Sequence, residues 1–141
     1  MKKILSRYKR IALDTNIFIY YLDRSSQFYS QSDRFFQKII SNKNKLVTSV
    51  ITLTEVLSFK APKENIDRLE QELTLLTNLK IIDVNSIIAI EAARIRREYK
   101  YRLPDAIQLA TAKYAKAQAF FTNDDRLEKF KELAVIMLKT I

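Results

Sequence analysis

The stretch Arg10-Ile11-Ala12-Leu13-Asp14-Thr15-Asn16-Ile17-Phe18-Ile19-Tyr20 decides how this chain folds. Ile11 to Leu13 is an apolar run too short for a helix and suits a small buried strand, whereas Ile17, Phe18, Tyr20 and Tyr21 repeat at helical spacing beyond Thr15. A strand end, an acid and a helix start therefore fall within a few residues. In an α/β sheet such a junction lies at the carboxyl edge, where these folds gather their ligands. Asp14 is then either the first wall of an active site or only a helix cap, since Asp is favoured at helix starts.

The pattern recurs along the chain. A helical stripe runs through Phe28, Phe35, Phe36, Ile39 and Ile40, and Leu46-Val47-Thr48 reads as a second strand leading into a helix that carries Glu55, Val56 and Leu57. Pro62 opens a helix with Ile66, Leu69, Leu73 and Leu76 on one face. Leu79 to Val84 is a third strand, and a helix from Ser86 runs through Ile87, Ile90, Ala93 and Ile95. Leu103-Pro104-Asp105-Ala106-Ile107 is a helix start, with proline in the first turn and an acid beside the positive end of the dipole. Ala119 to Thr122 is a fourth strand ending at Asn123-Asp124-Asp125, a short helix passes through Leu127 and Phe130, and Ala134 to Leu138 is the last strand. About five short strands alternating with helices predict an α/β fold, a parallel sheet with helices on both faces.

Composition narrows the chemistry. The 141 residues suit a single domain spanning 1–141. There is no cysteine, which excludes disulfides and thiolate metal sites, and no histidine, which excludes imidazole catalysis and imidazole ligands. There is no glycine, so neither a P-loop nor a G-x-G-x-x-G turn can form. Turns needing the left-handed region fall to asparagine, with Asn42, Asn44, Asn78 and Asn85 as candidates. No signal-peptide or membrane-spanning pattern is evident, so cytoplasmic residence without a membrane is the expectation. The 25 basic against 16 acidic residues give a net charge of +9. Its concentration at Lys2 to Arg10 and Arg94 to Arg102 suits a phosphate-rich partner or a solubilising surface.

With imidazole and thiol absent, catalysis would fall to carboxylates. Asp14 and Asp124 follow strand ends, Glu55 and Asp105 lie near helix starts, and loops at one sheet edge converge on one crevice. Two carboxylates about 4 Å apart repel by roughly 4 kcal/mol at an effective dielectric of 20, so such a cluster calls for a cation. Oxygen-only ligands select hard ions, Mg²⁺ or Mn²⁺.

At these residues the chain resembles a known family. Leu13-Asp14-Thr15-Asn16, Glu55 in Ser49-Val50-Ile51-Thr52-Leu53-Thr54-Glu55-Val56-Leu57, Leu103-Pro104-Asp105-Ala106-Ile107-Gln108-Leu109-Ala110-Thr111-Ala112, and Phe121-Thr122-Asn123-Asp124 are similar to the four motifs of PIN-domain ribonucleases, above all VapC-type toxins. The resemblance implies a three-layer α/β/α fold and a Mg²⁺-dependent endoribonuclease, the toxin of a toxin–antitoxin pair. It implies that Asp14, Glu55, Asp105 and Asp124 are the catalytic, metal-binding acids and that Thr15, Asn16 and Thr122 support them. It also implies a homodimer and a small antitoxin that blocks the site. Arg10, Arg97, Lys100 and Arg102 are the basic residues expected to hold RNA. Such chains usually carry a glycine before the fourth motif, and Tyr114 to Ala119 has none. The alternatives are a PIN-like module that binds nucleic acid or protein without cutting, and a PIN nuclease of RNA processing.

Overall fold

Ile11 and Leu13 face one side of the sheet and Ala12 the other, and this period of two sorts the whole core. The structure, a computed structural model, describes residues 1–141. Five parallel strands, β1 (Arg10–Leu13), β2 (Lys45–Ser49), β3 (Leu79–Ile82), β4 (Ala119–Thr122) and β5 (Ala134–Met137), lie in the order β3-β2-β1-β4-β5. On one face Ile11, Leu13, Leu46 and Phe121 pack against α1 (Lys2–Leu5), α2 (Thr15–Leu22), α3 (Tyr29–Asn42), α4 (Ile51–Leu57) and α5 (Lys63–Thr74). Phe35 is the centre of that layer, its ring 5.1 Å from Phe121 and 5.7 Å from Phe36. On the other face Ala12, Val47 and Phe120 meet α6 (Ser86–Tyr99) and α7 (Leu103–Tyr114), where Ala106, Ala110 and Ala112 let α7 approach closely. The result is the expected three-layer α/β/α arrangement.

Strand order reverses between β1 and β4, because the chain builds outward from β1 to β3 and then returns to the other side of β1. That reversal, at the carboxyl ends of β1 and β4, is the position where open α/β sheets place their ligands. Asp14 follows the first of these strands and Asp124 the second.

Several details differ from the sequence reading: α5 ends at Thr74 before Leu76, Ile40 on α3 is exposed, and the turn through Leu127 stops short of Phe130. β3 stops at Ile82, and β5 at Met137, where Leu138 starts a short 3₁₀ turn. In α6 the buried stripe is Ile88, Ala92 and Ile95, set by the single contact face with α7, so Ile87 and Ile90 stand exposed. Of the asparagines expected in the left-handed region only Asn78 is there (φ 66°); the others are Lys43, Lys100 and Lys116 (φ 57° to 59°). All three lysines lie just past helix ends. At Lys43 and Lys116 the turn is closed by bonds spanning five residues, Asn44 N–H to Ile39 O (3.2 Å) and Ala117 N–H to Ala112 O (2.9 Å). Those bonds satisfy the terminal carbonyls, and a cation at the negative end of a helix offsets part of the left-handed penalty. Lys116 thus does the work of the missing glycine. Asn44 is instead buried, its Nδ2 donating to Leu5 O (3.0 Å), and Asn85 caps α6 in an extended conformation.

Candidate active site

Asp14 stands at the carboxyl edge of the sheet, between the end of β1 and the start of α2. It caps α2, with Oδ1 accepting from the Thr15 amide (2.8 Å), and its Oδ2 accepts from the Thr122 hydroxyl at the end of β4 (2.7 Å). Asn16 Nδ2 reaches Thr122 Oγ1 (3.3 Å) and Asp14 Oδ2 (3.4 Å), so all three side chains tie β1 to β4. Burial pushes the Asp14 carboxyl up to about 6; the Thr122 hydrogen bond opposes that rise, and the charges of Asp105 and Glu55 add to it. A group that only capped a helix would be stabilised in its charged form. This one is held against its charge by three causes at once.

Asp105 sits in the first turn of α7, as buried as Asp14. Its Oδ2 receives Arg102 Nε at 3.2 Å and Arg126 Nη2 at 3.4 Å. Asp124 caps the 3₁₀ turn after β4 and accepts from the Arg126 amide (3.0 Å) and Nε (2.9 Å), with a further contact from Nη2 to its Oδ2. The Arg126 guanidinium holds the Asp124 carboxyl below the usual range. Glu55 projects from α4, exposed, and accepts from Thr15 Oγ1 at 2.8 Å. Arg126 thus bridges Asp105 and Asp124, the charge of Asp105 reaches Asp14, and Glu55 joins Asp14 through Thr15. Asp125 points away to Lys139 Nζ, 2.5 Å off.

The basic residues divide. Arg102 borders the acids directly, and Arg97 and Lys100 share its end of the α6–α7 hairpin, whose linking turn is only three residues long. Arg10 does not join them. It opens the strand that Asp14 follows, about 13 Å away at roughly 3.3 Å per residue, and its Nη1 donates to Ala115 O (2.8 Å).

Two contributors were not singled out from the sequence. Gln108 lies one turn beyond Asp105, fully buried among Thr15, Thr48, Ser49 and Thr52. An amide in an otherwise small and apolar helix stripe, at i+3 from the acid, was the available signal. Arg126 gave none, because a charged residue in a turn is ordinarily solvated. Beside the acids, Tyr101 stacks on Tyr99 (5.3 Å), and its hydroxyl is buried without a partner and pushed up to about 12, chiefly by burial.

The donor set is of the right kind for a hard divalent cation, being carboxylate and hydroxyl oxygen throughout. As the side chains stand, no three acids are close enough to enclose an ion, since Arg102 and Arg126 hold Asp105 and Asp124. A bound ion would therefore have to displace a guanidinium. The Arg126 side chain is half exposed, which limits what its ion pairs contribute. Arg126→Gln is expected to tighten Mn²⁺ binding by up to about fivefold, read by calorimetry. Weaker binding in the variant would show instead that Arg126 supports the ion.

A family profile described as PIN domain matches residues 11–133. No curated protein matches the chain. Among solved structures, VapBC2 from Rickettsia felis bound to a DNA fragment from their promoter is similar at 20% identity with a TM-score of 0.73, covering 91% of this chain and 98% of that one. DNA-bound VapBC from Salmonella typhimurium is similar at 20% identity and 0.70, covering 92% and 98%. VapC20 of Mycobacterium tuberculosis, a sarcin-ricin loop cleaving toxin, gives 16% and 0.67, covering 87% and 98%.

Proposed function

Because the chain belongs to the PIN domain family, we propose that it is a metal-dependent endoribonuclease and the toxin of a toxin–antitoxin pair. The observation that carries the reading is the buried Asp14 carboxyl, pushed up to about 6 by burial and by its acidic neighbours at the strand-order reversal. Buried acids with perturbed titration cluster at functional sites, and a strand-order reversal is where α/β folds place theirs.

In this reading Asp14, Asp105 and Asp124 hold Mg²⁺ or Mn²⁺, with Glu55 completing the set. When bound, the ion lowers the pKa of water and neutralises charge on the phosphate under attack. Thr122 and Asn16 fix the Asp14 carboxylate, and Thr15 fixes Glu55. Arg102, Arg97 and Lys100 hold neighbouring phosphates. A small antitoxin would cover the site, and the apolar hollow of about 500 Å³ beside Glu55, lined by Ile19, Leu22, Val56 and Phe59, suits a short apolar segment. A homodimer is part of the same proposal. No helix is long and apolar enough to cross a membrane.

The guanidinium clamp on Asp105 and Asp124 favours a second reading, a module that binds nucleic acid without cutting it. One pair of measurements separates them. The nuclease is expected to bind Mn²⁺ in calorimetry and to cut RNA in Mg²⁺, with cutting lost in EDTA and restored by the ion. Absence of both binding and cutting leaves the second reading standing.

A further inference from the structure

The edge of the sheet opposite the acids carries a cluster of cations without carboxylate partners. Arg10 opens β1, Lys45 opens β2, and Lys116 occupies the left-handed turn into β4. With Lys9, Lys43 and Lys80 they line two adjoining hollows of about 700 and 680 Å³, which share Arg10, Lys45 and Lys116. No acid lines either hollow. Every ion pair in the molecule is made by other residues, so all six cations are without a carboxylate partner. Tyr114 is the one large apolar side chain exposed there, its surface 46% accessible.

From this surface we infer that the amino edge of the sheet is a second nucleic-acid contact, a clamp for the sugar–phosphate backbone of single-stranded RNA flanking the cut site. The inference rests on the nuclease reading for the identity of the RNA. Unpaired cations on a concave wall focus potential and draw in a polyanion, and the exposed Tyr114 ring offers a base a stacking face. A membrane-binding face would instead present a broad apolar stripe beneath its cations. The juxtaposition is built on one strand, with Arg10 entering β1 at the clamp and Asp14 leaving it at the acids, about 13 Å away. Because β1 is buried between its neighbours and both helix layers, an RNA that rounds the outside of the molecule is gripped at one edge and cut at the other, so the clamp reads length and charge but not sequence.

The test uses the full chain with the exposed residues Lys9, Lys45 and Lys80 all changed to Gln. The probe is a fluorescein-labelled single-stranded RNA of about 20 nucleotides, long enough to release several counterions, and anisotropy is read in EDTA across a salt series. Each phosphate contact contributes about 0.7 to the slope of log K against log salt, so the triple variant is expected to lose about 2 from that slope and at least about tenfold in affinity near 0.1 M salt. A control changing the exposed Lys60, Lys63 and Lys131 to Gln is expected to change the slope by less than half as much. An unchanged slope in the first triple, an equal loss in the control, no binding by the wild type, or a change confined to duplex DNA would each overturn the inference. A slope change without Mg²⁺-dependent cutting would remove the nuclease reading and leave the surface in place.

Discussion

Asp14→Asn is expected to lose at least about a hundredfold of RNA cleavage while becoming more stable above pH 6. The activity loss follows because an amide replaces a charged oxygen on the ion that would neutralise the phosphate, an effect of several kcal/mol. The stability gain follows from the same burial. The carboxyl rises from an ordinary 3.8 to about 6 on folding, so between those values the native state holds a proton that the unfolded chain has released. Stability therefore falls as pH rises through that window and stays reduced above it. Two units correspond to about 3 kcal/mol. Asparagine carries no charge to bury and is as good a helix cap. Urea unfolding in EDTA should show Asp14→Asn ahead of wild type at pH 7.5 and level with it near pH 4. Asp105→Asn should match the activity loss. Full cleavage in both variants would dismiss the site, and a variant less stable at pH 7.5 would dismiss the electrostatic account of it.

That opposition between activity and stability explains why some of the site was legible in the sequence and some was not. Asp14, Asp105 and Asp124 could be placed because each sits at a junction between period-two and helical patterns, and parallel topology sends such junctions to one edge. The helix stripe of α5 and the start of α7 were readable for the same reason, the first from apolar residues at helical spacing and the second from its proline and acid. The position of Arg10 relative to the acids was not legible, because charge in a sequence carries no direction; a residue at the start of a strand and an acid after its end stand at opposite edges however near they are in number. Lys43, Lys100 and Lys116 were hidden by a propensity rule that favours asparagine, overridden here by helix-end hydrogen bonds. Gln108 was hidden most completely, because its role exists only once α7, α2, β2 and α4 have come together.

Replacing Gln108 is expected to damage both stability and the placement of Glu55, in an order fixed by where the protons lie. Thr48 Oγ1 donates to Leu13 O (2.9 Å), which leaves Thr52 to donate to Thr48 (2.7 Å), and Thr15 donates to Glu55 (2.8 Å). Thr15 and Thr52 therefore both need a donor, and the Gln108 amide supplies it with Nε2 at 3.1 and 2.8 Å. Its Oε1 accepts from the Ser49 amide (3.2 Å). Leucine at 108 removes these bonds and strands the Ser49 N–H, at about 1–3 kcal/mol for a buried unsatisfied group. Glutamate at 108 keeps the shape but replaces the donor with an acceptor and adds a buried charge toward Glu55, so it should be the worse of the two, lowering the chemical denaturation midpoint further. Cleavage by the folded fraction should fall in both, through Thr15 losing its fixed orientation toward Glu55. If Gln108→Glu is as stable as wild type at pH 7.5, the proton order is wrong. If both variants cut at full rate when folded, the network holds the fold without holding Glu55.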